Sequence, residues 1–137
     1  MRSTAVTSLA PRWRYPTREE RPVRLPNAEK AEISERKIVR YLLSPTHPTG
    51  GSKAAFFGKH GFKVTAWRAL AEALRRHAID NDVAQATQTL YGMRYVIDAV
   101  LLAPDGLRLN VRSVWFIRRR ESVPRFATAH PLKREST

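Results

Sequence analysis

The sequence predicts an α+β domain in which two or three N-terminal helices pack on an antiparallel sheet of three to four strands. Helix caps and a 3.6-residue apolar repeat occupy the chain up to about residue 80. From Leu90 onward, β-branched and aromatic runs replace them. The length of 137 residues and the hydrophobic content of 42% suit a single core.

The first helix is predicted from its N-terminal signals. Ser34 is a favourable N-cap, and Ile33 and Ile38 occupy the two positions of a hydrophobic staple. We expect this helix to continue to about Leu43, because Pro45 follows shortly after.

Two further helices follow a proline- and glycine-rich loop. Ser52 is the expected N-cap of a short helix over 53–57, which Gly58 or Gly61 ends. Thr65 is the expected N-cap of a third helix. Its apolar positions recur at helical spacing: Trp67, Leu70, Ala71, Leu74 and Ala78.

The strands are predicted over 93–102, 107–118 and 125–129. Pro104 and Gly106 hold the second and fourth positions of a type I turn, so the first two strands form a hairpin. The third strand follows the turn around Pro124. This order of helices and then a meander gives the α+β class.

The chain divides into three parts by composition. Residues 1–24 contain three prolines and six arginines without a regular period, which predicts a flexible basic arm, either a simple extension or a strap for phosphates. Residues 25–132 form the domain, and 133–137 form a tail. No apolar run is long enough for a membrane span or a signal peptide, so we expect a cytoplasmic protein without a membrane partner.

The charge balance points to a polyanionic partner. Lysine and arginine number 25 against 12 acidic residues, which gives a formal charge of +13. Nucleic acid is the first expectation, with RNA favoured over DNA. The absence of cysteine excludes thiol catalysis and cysteine-ligated metals, and the histidine and carboxylate spacing fits no metal motif, so we expect no metal and no cofactor.

The loop from His47 to Lys53 carries the strongest chemical signal. Gly50 and Gly51 allow close approach of a ligand, Ser52 opens a helix whose N–H groups attract anions, and Lys53 adds a charge. A nearby ammonium also favours the neutral, basic form of His47. The loop is not a nucleotide-binding Walker A sequence. It is either a phosphate site or a glycine-rich connector.

The second predicted strand places polar side chains on one face. Arg108 and Arg112 alternate with apolar residues on this strand. Arg108 is a candidate nucleic-acid contact, and Arg112, which lies where burial on both faces begins, is a candidate for a cleft; the alternative is a solvated polar face. A basic end follows, which is either solvated charge or a phosphate contact: Arg118, Arg119, Arg120 and Arg125.

Several strings resemble a bacterial family of small domains of unknown function. They are LPNA (25–28), KIVRYLL (37–43), HPTGGSKA (47–54), YGMRY (91–95), PDG (104–106), VWFI (114–117) and TAHP (128–131). The element order, the loop histidine and lysine, the strand arginine and the closing threonine also resemble, more distantly, the barnase–EndoU–colicin–RelE toxin ribonucleases.

That second resemblance implies metal-independent RNA cleavage through a 2′,3′-cyclic phosphate. His47 would act as base or acid, and Lys53 and Arg112 would stabilise the phosphate. Thr128 would donate a hydrogen bond to the phosphate or orient the backbone. His130 stands where a tyrosine is expected in relatives, and it is a further candidate. Gly51 replaces an expected arginine.

Two other functions compete with the ribonuclease hypothesis. A non-catalytic nucleic-acid-binding module would use the same basic surface, and an immunity- or antitoxin-type domain would bind a protein. A toxin of this kind is expected to have an acidic neutralising partner.

Overall fold

The computed structural model of the chain describes residues 24–43 and 51–132. The loop with His47, nearly all of the predicted arm and the predicted tail lie outside the described residues. Within them, three helices precede a four-stranded antiparallel sheet, so the α+β prediction is confirmed.

The first helix, α1, consists of an α-helical turn, Glu35–Lys37, and a π-helical turn, Ile38–Leu42. The Ser34 hydroxyl accepts a hydrogen bond from the backbone N–H of Lys37 at 3.0 Å, which confirms the predicted N-cap. Ile38 and Leu42 are buried. The π-helical geometry was not predicted, and such turns often mark functional sites because they redirect side chains.

The second helix, α2, spans Gly51–Lys59, and the third, α3, spans Trp67–Asp80. Gly61 ends the α2 region with φ at 101°, a conformation that favours glycine. The prediction that Thr65 caps α3 is wrong. Thr65 lies inside a 3₁₀ turn, Val64–Ala66, so its backbone is already helical and α3 begins without a side-chain cap.

The strands are β1 (Gln85–Thr89), β2 (Gly92–Leu102), β3 (Arg108–Arg118) and β4 (Arg125–Pro131), in sequential order across the sheet. The predicted hairpin joins β2 and β3, and its turn is closed by a hydrogen bond from the Gly106 N–H to the Ala103 carbonyl at 2.9 Å. A bulge near Val114 shifts the β3–β4 register. The bulge makes room for two residues of β4 opposite one of β3.

The two faces of the sheet differ in polarity. The face toward the helices, called here the inner face, carries buried Val111, Ser113 and Trp115. The opposite, outer face carries Arg108 and Arg112, as the alternation predicts. The inner face therefore forms the core, whereas the outer face carries polar side chains beside the buried Val96 and Val114.

His77 on α3 is held in the core by a continuous hydrogen-bond network. Its Nε2 lies 3.0 Å from the carbonyl oxygens of Ala99 and Val111, and its Nδ1 lies 2.9 Å from the Ser113 hydroxyl. The Trp115 indole N–H donates to that same hydroxyl at 2.9 Å. Carbonyl oxygens only accept, so Nε2 carries the proton and Nδ1 accepts from Ser113. Burial lowers the pKa of His77, which keeps the ring neutral.

The segment before α1 fixes this helix against β4. The Glu32 N–H donates to the Pro124 carbonyl at 2.9 Å, and the Phe126 N–H donates to the Glu32 carbonyl at 2.8 Å. These bonds extend the sheet by a single parallel bridge. Because α1 begins three residues later, its polar side chains lie beside β4. No helix in the described ranges is long and apolar enough to cross a membrane.

Candidate active site

Three polar side chains from distant parts of the sequence meet beside β4. The Lys53 ammonium donates hydrogen bonds to the Tyr41 phenolic oxygen and, at 3.0 Å, to the Thr128 hydroxyl. The Thr128 and Tyr41 oxygens are 3.4 Å apart. All three residues are half-buried. We call Tyr41, Lys53 and Thr128 the lysine cluster.

Each member of the lysine cluster is placed by a local feature of its element. Tyr41 lies in the π-helical turn of α1, Lys53 in the first turn of α2, and Thr128 next to the bulge of β4. The Lys53 ammonium is also 4.6 Å from the centre of the Tyr41 ring. Such a cation–π contact adds to the hydrogen bonds in holding the ammonium at this position.

Lys37 brings a second ammonium close to the cluster. Its Nζ donates to the Ala127 carbonyl at 2.9 Å and lies 5.9 Å from the centre of the Tyr41 ring. Two lysines therefore flank one tyrosine. Among the described residues, neither lysine has an acidic partner within salt-bridge distance. The local charge is positive and suits an anion.

A second polar row crosses the outer face next to Thr128. The register pairs Asp98 with Arg112 and Arg112 with His130, while Thr128 pairs with Val114 in the adjoining row. Rows on one face are two residues apart, which is about 7 Å along a strand. Arg112 and His130 thus lie about one row away from the lysine cluster.

Arg112 is fixed by a bidentate ion pair. Its Nε and a terminal nitrogen donate to the two Asp98 carboxylate oxygens at 2.7 and 2.8 Å. The hydrogen bonds from Arg112 lower the pKa of Asp98, and those to Asp98 raise the pKa of Arg112. The guanidinium therefore stays charged with a fixed orientation, and its net charge is partly compensated.

The tautomer of His130 follows from its only described hydrogen bond. Its Nδ1 lies 3.2 Å from the Pro131 carbonyl oxygen, so in the neutral ring Nδ1 carries the proton. Nε2 is then the basic nitrogen. His130 is half-buried on the same face as Arg112, so this nitrogen has the chemistry of a general base.

The structure brings part of the predicted site together. Lys53 and Thr128 are in contact, and Arg112 and His130 lie in the neighbouring row. His47 and the side chain of Ser52 lie outside what the structure describes, so their predicted roles stay predictions. No described set of three or more histidine and acidic side chains is arranged to hold a metal ion.

The predicted phosphate-binding arginines fall into separate places. Arg118, Arg119 and Arg120 are exposed at the end of β3, and Arg108 is exposed at its beginning. Ten residues of strand separate these ends, about 34 Å. Arg125 lies near Glu121 at 3.5 Å and Glu32 at 3.8 Å, so acidic groups partly compensate it.

Sequence reasoning missed Tyr41 and Asp98 as members of the site. Tyr41 lies in a mostly apolar segment of the sequence, which predicts that it is a core residue. The one available signal was its polar tip, since a tyrosine hydroxyl at a helix border usually has a partner. Asp98 is the lone acidic residue in β2. An acidic side chain within a strand is stabilised by a basic side chain opposite it on the neighbouring strand, and this was the available signal.

Comparisons with known proteins add a family and a structural neighbour. No curated protein matches the sequence. One solved structure, a contact-dependent growth inhibition toxin–immunity protein complex from Klebsiella pneumoniae 342, has a chain with a similar fold, at a TM-score of 0.59 and 18% sequence identity. The similarity covers 73% of this chain and 98% of that chain. A family model described as a domain of unknown function, DUF6883, matches residues 24–133, and the chain therefore belongs to that family.

Proposed function

We propose that the chain is a toxin-like, metal-independent ribonuclease whose active site is the lysine cluster together with Arg112 and His130. The observation that carries this proposal is the position of Lys53, whose ammonium is held between a phenol and a hydroxyl that come from elements far apart in sequence. A positive charge beside two proton-bearing oxygens suits a phosphate that becomes more negative in a transition state.

The proposed reaction needs a base and an acid on opposite sides of phosphorus. His130 Nε2 takes the proton from the ribose 2′-hydroxyl, and the 2′-oxygen forms a bond to phosphorus. The bond from phosphorus to the 5′-oxygen breaks, and the Tyr41 phenol gives its proton to that oxygen. The products are a 2′,3′-cyclic phosphate and a 5′-hydroxyl, and both side chains then exchange protons with water.

The cations act on the charge that develops on the phosphate oxygens. Lys53 donates to one non-bridging oxygen, and the fixed guanidinium of Arg112 adds a second positive group. Thr128 holds the Lys53 ammonium and offers its hydroxyl to the phosphate. Removing one such donor costs about 10²–10³ in rate in comparable sites.

The test is RNA cleavage in EDTA by three forms of the full chain. Wild type should cut bulk tRNA and labelled RNA oligomers. Lys53→Met should cut them about 10²–10³-fold more slowly, and Lys59→Met should cut them at the wild-type rate. Lys59 is the matched control, because it is an exposed lysine on the same helix. Equal cleavage by Lys53→Met and Lys59→Met, or none by wild type, would contradict the proposal.

A second candidate function is an immunity-type protein that binds a toxin. The observation that favours it is the structural neighbour, which comes from a complex of a toxin with its immunity protein. Growth separates the two functions. Expression of a ribonuclease toxin should arrest a bacterial host and Lys53→Met should relieve the arrest, whereas an immunity-type protein should leave growth unchanged.

A further inference from the structure

A groove with three basic residues opens directly beside the lysine cluster. It has a volume of about 480 Å³ and is lined by Ser34, Arg36, Lys37, Arg40 and Tyr41. Arg36 and Arg40 are exposed, and neither has an acidic partner among the described residues. Tyr41 is therefore at one end of a basic channel along α1.

A second groove continues from the first toward the sheet. It has a volume of about 490 Å³, shares Ser34 and Lys37 with the first, and reaches Phe116, Arg118 and Arg125. The register places Phe116 on the outer face between Arg94 and Arg125. Phe116 is half-buried, so part of its ring remains accessible next to these guanidinium groups.

A third groove, of about 590 Å³, shares Arg118 with the second and leads past Arg119 and Arg120 to Leu90. It ends at the tip of the β1–β2 hairpin. Leu90 and Tyr91 form that two-residue turn and are 79% and 74% exposed. Such turns normally carry Asn, Asp or Gly, so an exposed leucine and tyrosine there have no structural explanation.

The hairpin tip is held against the arginine-rich end of β3. The Arg119 N–H donates to the Tyr91 carbonyl at 2.9 Å, and the Arg119 side chain lies 3.5 Å from the Leu90 carbonyl. Arg94, Arg118 and Arg120 have no acidic partner within the described part of the chain. The three grooves share lining residues and are richer in cations than in acidic groups, of which they include Glu32 and Glu121. Phe116 lies in the second groove, and Tyr91 lies next to Leu90 at the end of the third.

We infer that these three grooves form one track for single-stranded RNA, which runs from the hairpin tip to Tyr41. The cations would contact phosphates, and Phe116 and Tyr91 would stack with bases, which is how sequence-tolerant single-strand sites work. Cations beside accessible flat rings fit a polynucleotide better than an acidic protein surface, because bases stack on such rings. The inference rests on the proposed function for the choice of substrate, and it extends that function to substrate binding.

The experiment measures binding rather than cleavage. Fluorescence anisotropy follows a labelled 2′-O-methyl RNA of about twelve nucleotides, a length within the ~4–16 nucleotides of typical single-strand sites. This RNA lacks the attacking 2′-hydroxyl, so the protein cannot cleave it during the measurement and the anisotropy reports binding alone. Tyr91→Ala should weaken binding about fivefold to a hundredfold, whereas Tyr91→Phe should bind like wild type.

The arginines are tested by salt dependence. The double variant Arg36→Ala, Arg40→Ala should lower the slope of log affinity against log salt by about 0.7 for each contact removed. Arg68→Ala is the control, because Arg68 is an exposed arginine on α3 and lies outside the three grooves. It should leave the affinity and the slope unchanged.

Three outcomes would overturn the track. The first is wild-type binding by Tyr91→Ala, and the second is an Arg68→Ala defect as large as that of the groove arginines. The third is displacement of RNA by polyglutamate at equal charge, which would indicate an acidic protein partner. Cleavage of a dinucleotide, too short to reach the track, gives a separate readout. Normal dinucleotide cleavage by Tyr91→Ala with wild-type binding would refute the track alone, whereas absent cleavage with track-dependent binding would refute the proposed enzyme alone.

Discussion

The buried histidine of α3 makes the stability of the domain depend on pH. His77 is only 3% exposed and is bound as the neutral ring to Ser113 and two carbonyl groups. Burial lowers its pKa in the folded state, whereas in the unfolded chain the value is near 6.5. Below about pH 6.5 the unfolded state therefore binds more protons than the folded state, and the folded state loses stability.

The size of the effect follows from linkage. Burial holds the folded pKa of His77 below the unfolded value near 6.5, and each pH unit between the two values contributes about 1.36 kcal/mol, so a change from pH 7.5 to pH 5.5 costs at most about 1.4 kcal/mol. This upper limit is a substantial part of the 5–15 kcal/mol of unfolding free energy that is typical of a domain.

The assay is urea unfolding at pH 7.5, 6.5 and 5.5, followed by tryptophan fluorescence because Trp115 is fully buried and joined to His77 through Ser113. His77→Gln should be less stable at pH 7.5 but should lose less stability than wild type on acidification, by up to about 1.4 kcal/mol. The same slope in wild type and His77→Gln would refute the reasoning.

Further predictions concern two glycines, the ion pair and the proposed acid. Gly92→Ala should destabilise by about 3 kcal/mol or more in urea titrations, because an added Cβ would overlap the Ile117 carbonyl oxygen and lie 2.9 Å from the Arg118 Cα. Gly58→Ala should instead stabilise by about 0.5–1 kcal/mol, since it lies in α2 with open space around it; a loss of stability would contradict this. Asp98→Asn should lose less stability than wild type as the pH falls below about 4, because the lowered pKa of Asp98 gives a contribution that disappears on protonation; equal acid sensitivity would contradict the role of the ion pair. Tyr41→Phe should cut RNA about 10²–10⁴-fold more slowly, because the 5′-oxygen then leaves without a proton from the phenol. An RNA with sulfur in place of that 5′-oxygen needs no acid, so the variant should cut it at nearly the wild-type rate. An equally slow cleavage of the sulfur-containing RNA would exclude Tyr41 as the acid.

The helices and the β2–β3 hairpin were predictable because local signals determined them. The Ser34 cap and the Pro104–Gly106 turn act within a few residues, and the structure has both. Strand β1 gave no comparable signal. The residues of β1 are mostly polar and exposed, so the apolar alternation that marks a strand is missing. The extended conformation of β1 depends on its pairing with β2.

The candidate site was predictable only in part, because its geometry depends on long-range packing. Lys53 and Thr128 were selected separately, and their contact arises where α2 packs against β4. Tyr41 joins them through the π-helical turn, which no local pattern in the sequence indicated. The prediction that Thr65 caps α3 is wrong for a similar reason, because Thr65 lies within a 3₁₀ turn that precedes this helix.

The most direct test of the proposed ribonuclease is the chemistry of the RNA ends that it leaves. Wild-type protein in EDTA is incubated with an RNA of defined sequence and with the same RNA carrying a single 2′-O-methyl group at the cleaved nucleotide. The proposal predicts a 2′,3′-cyclic phosphate and a 5′-hydroxyl on the first RNA, and no cleavage at the methylated position. A 5′-phosphate product, or cleavage at the methylated position, would contradict it.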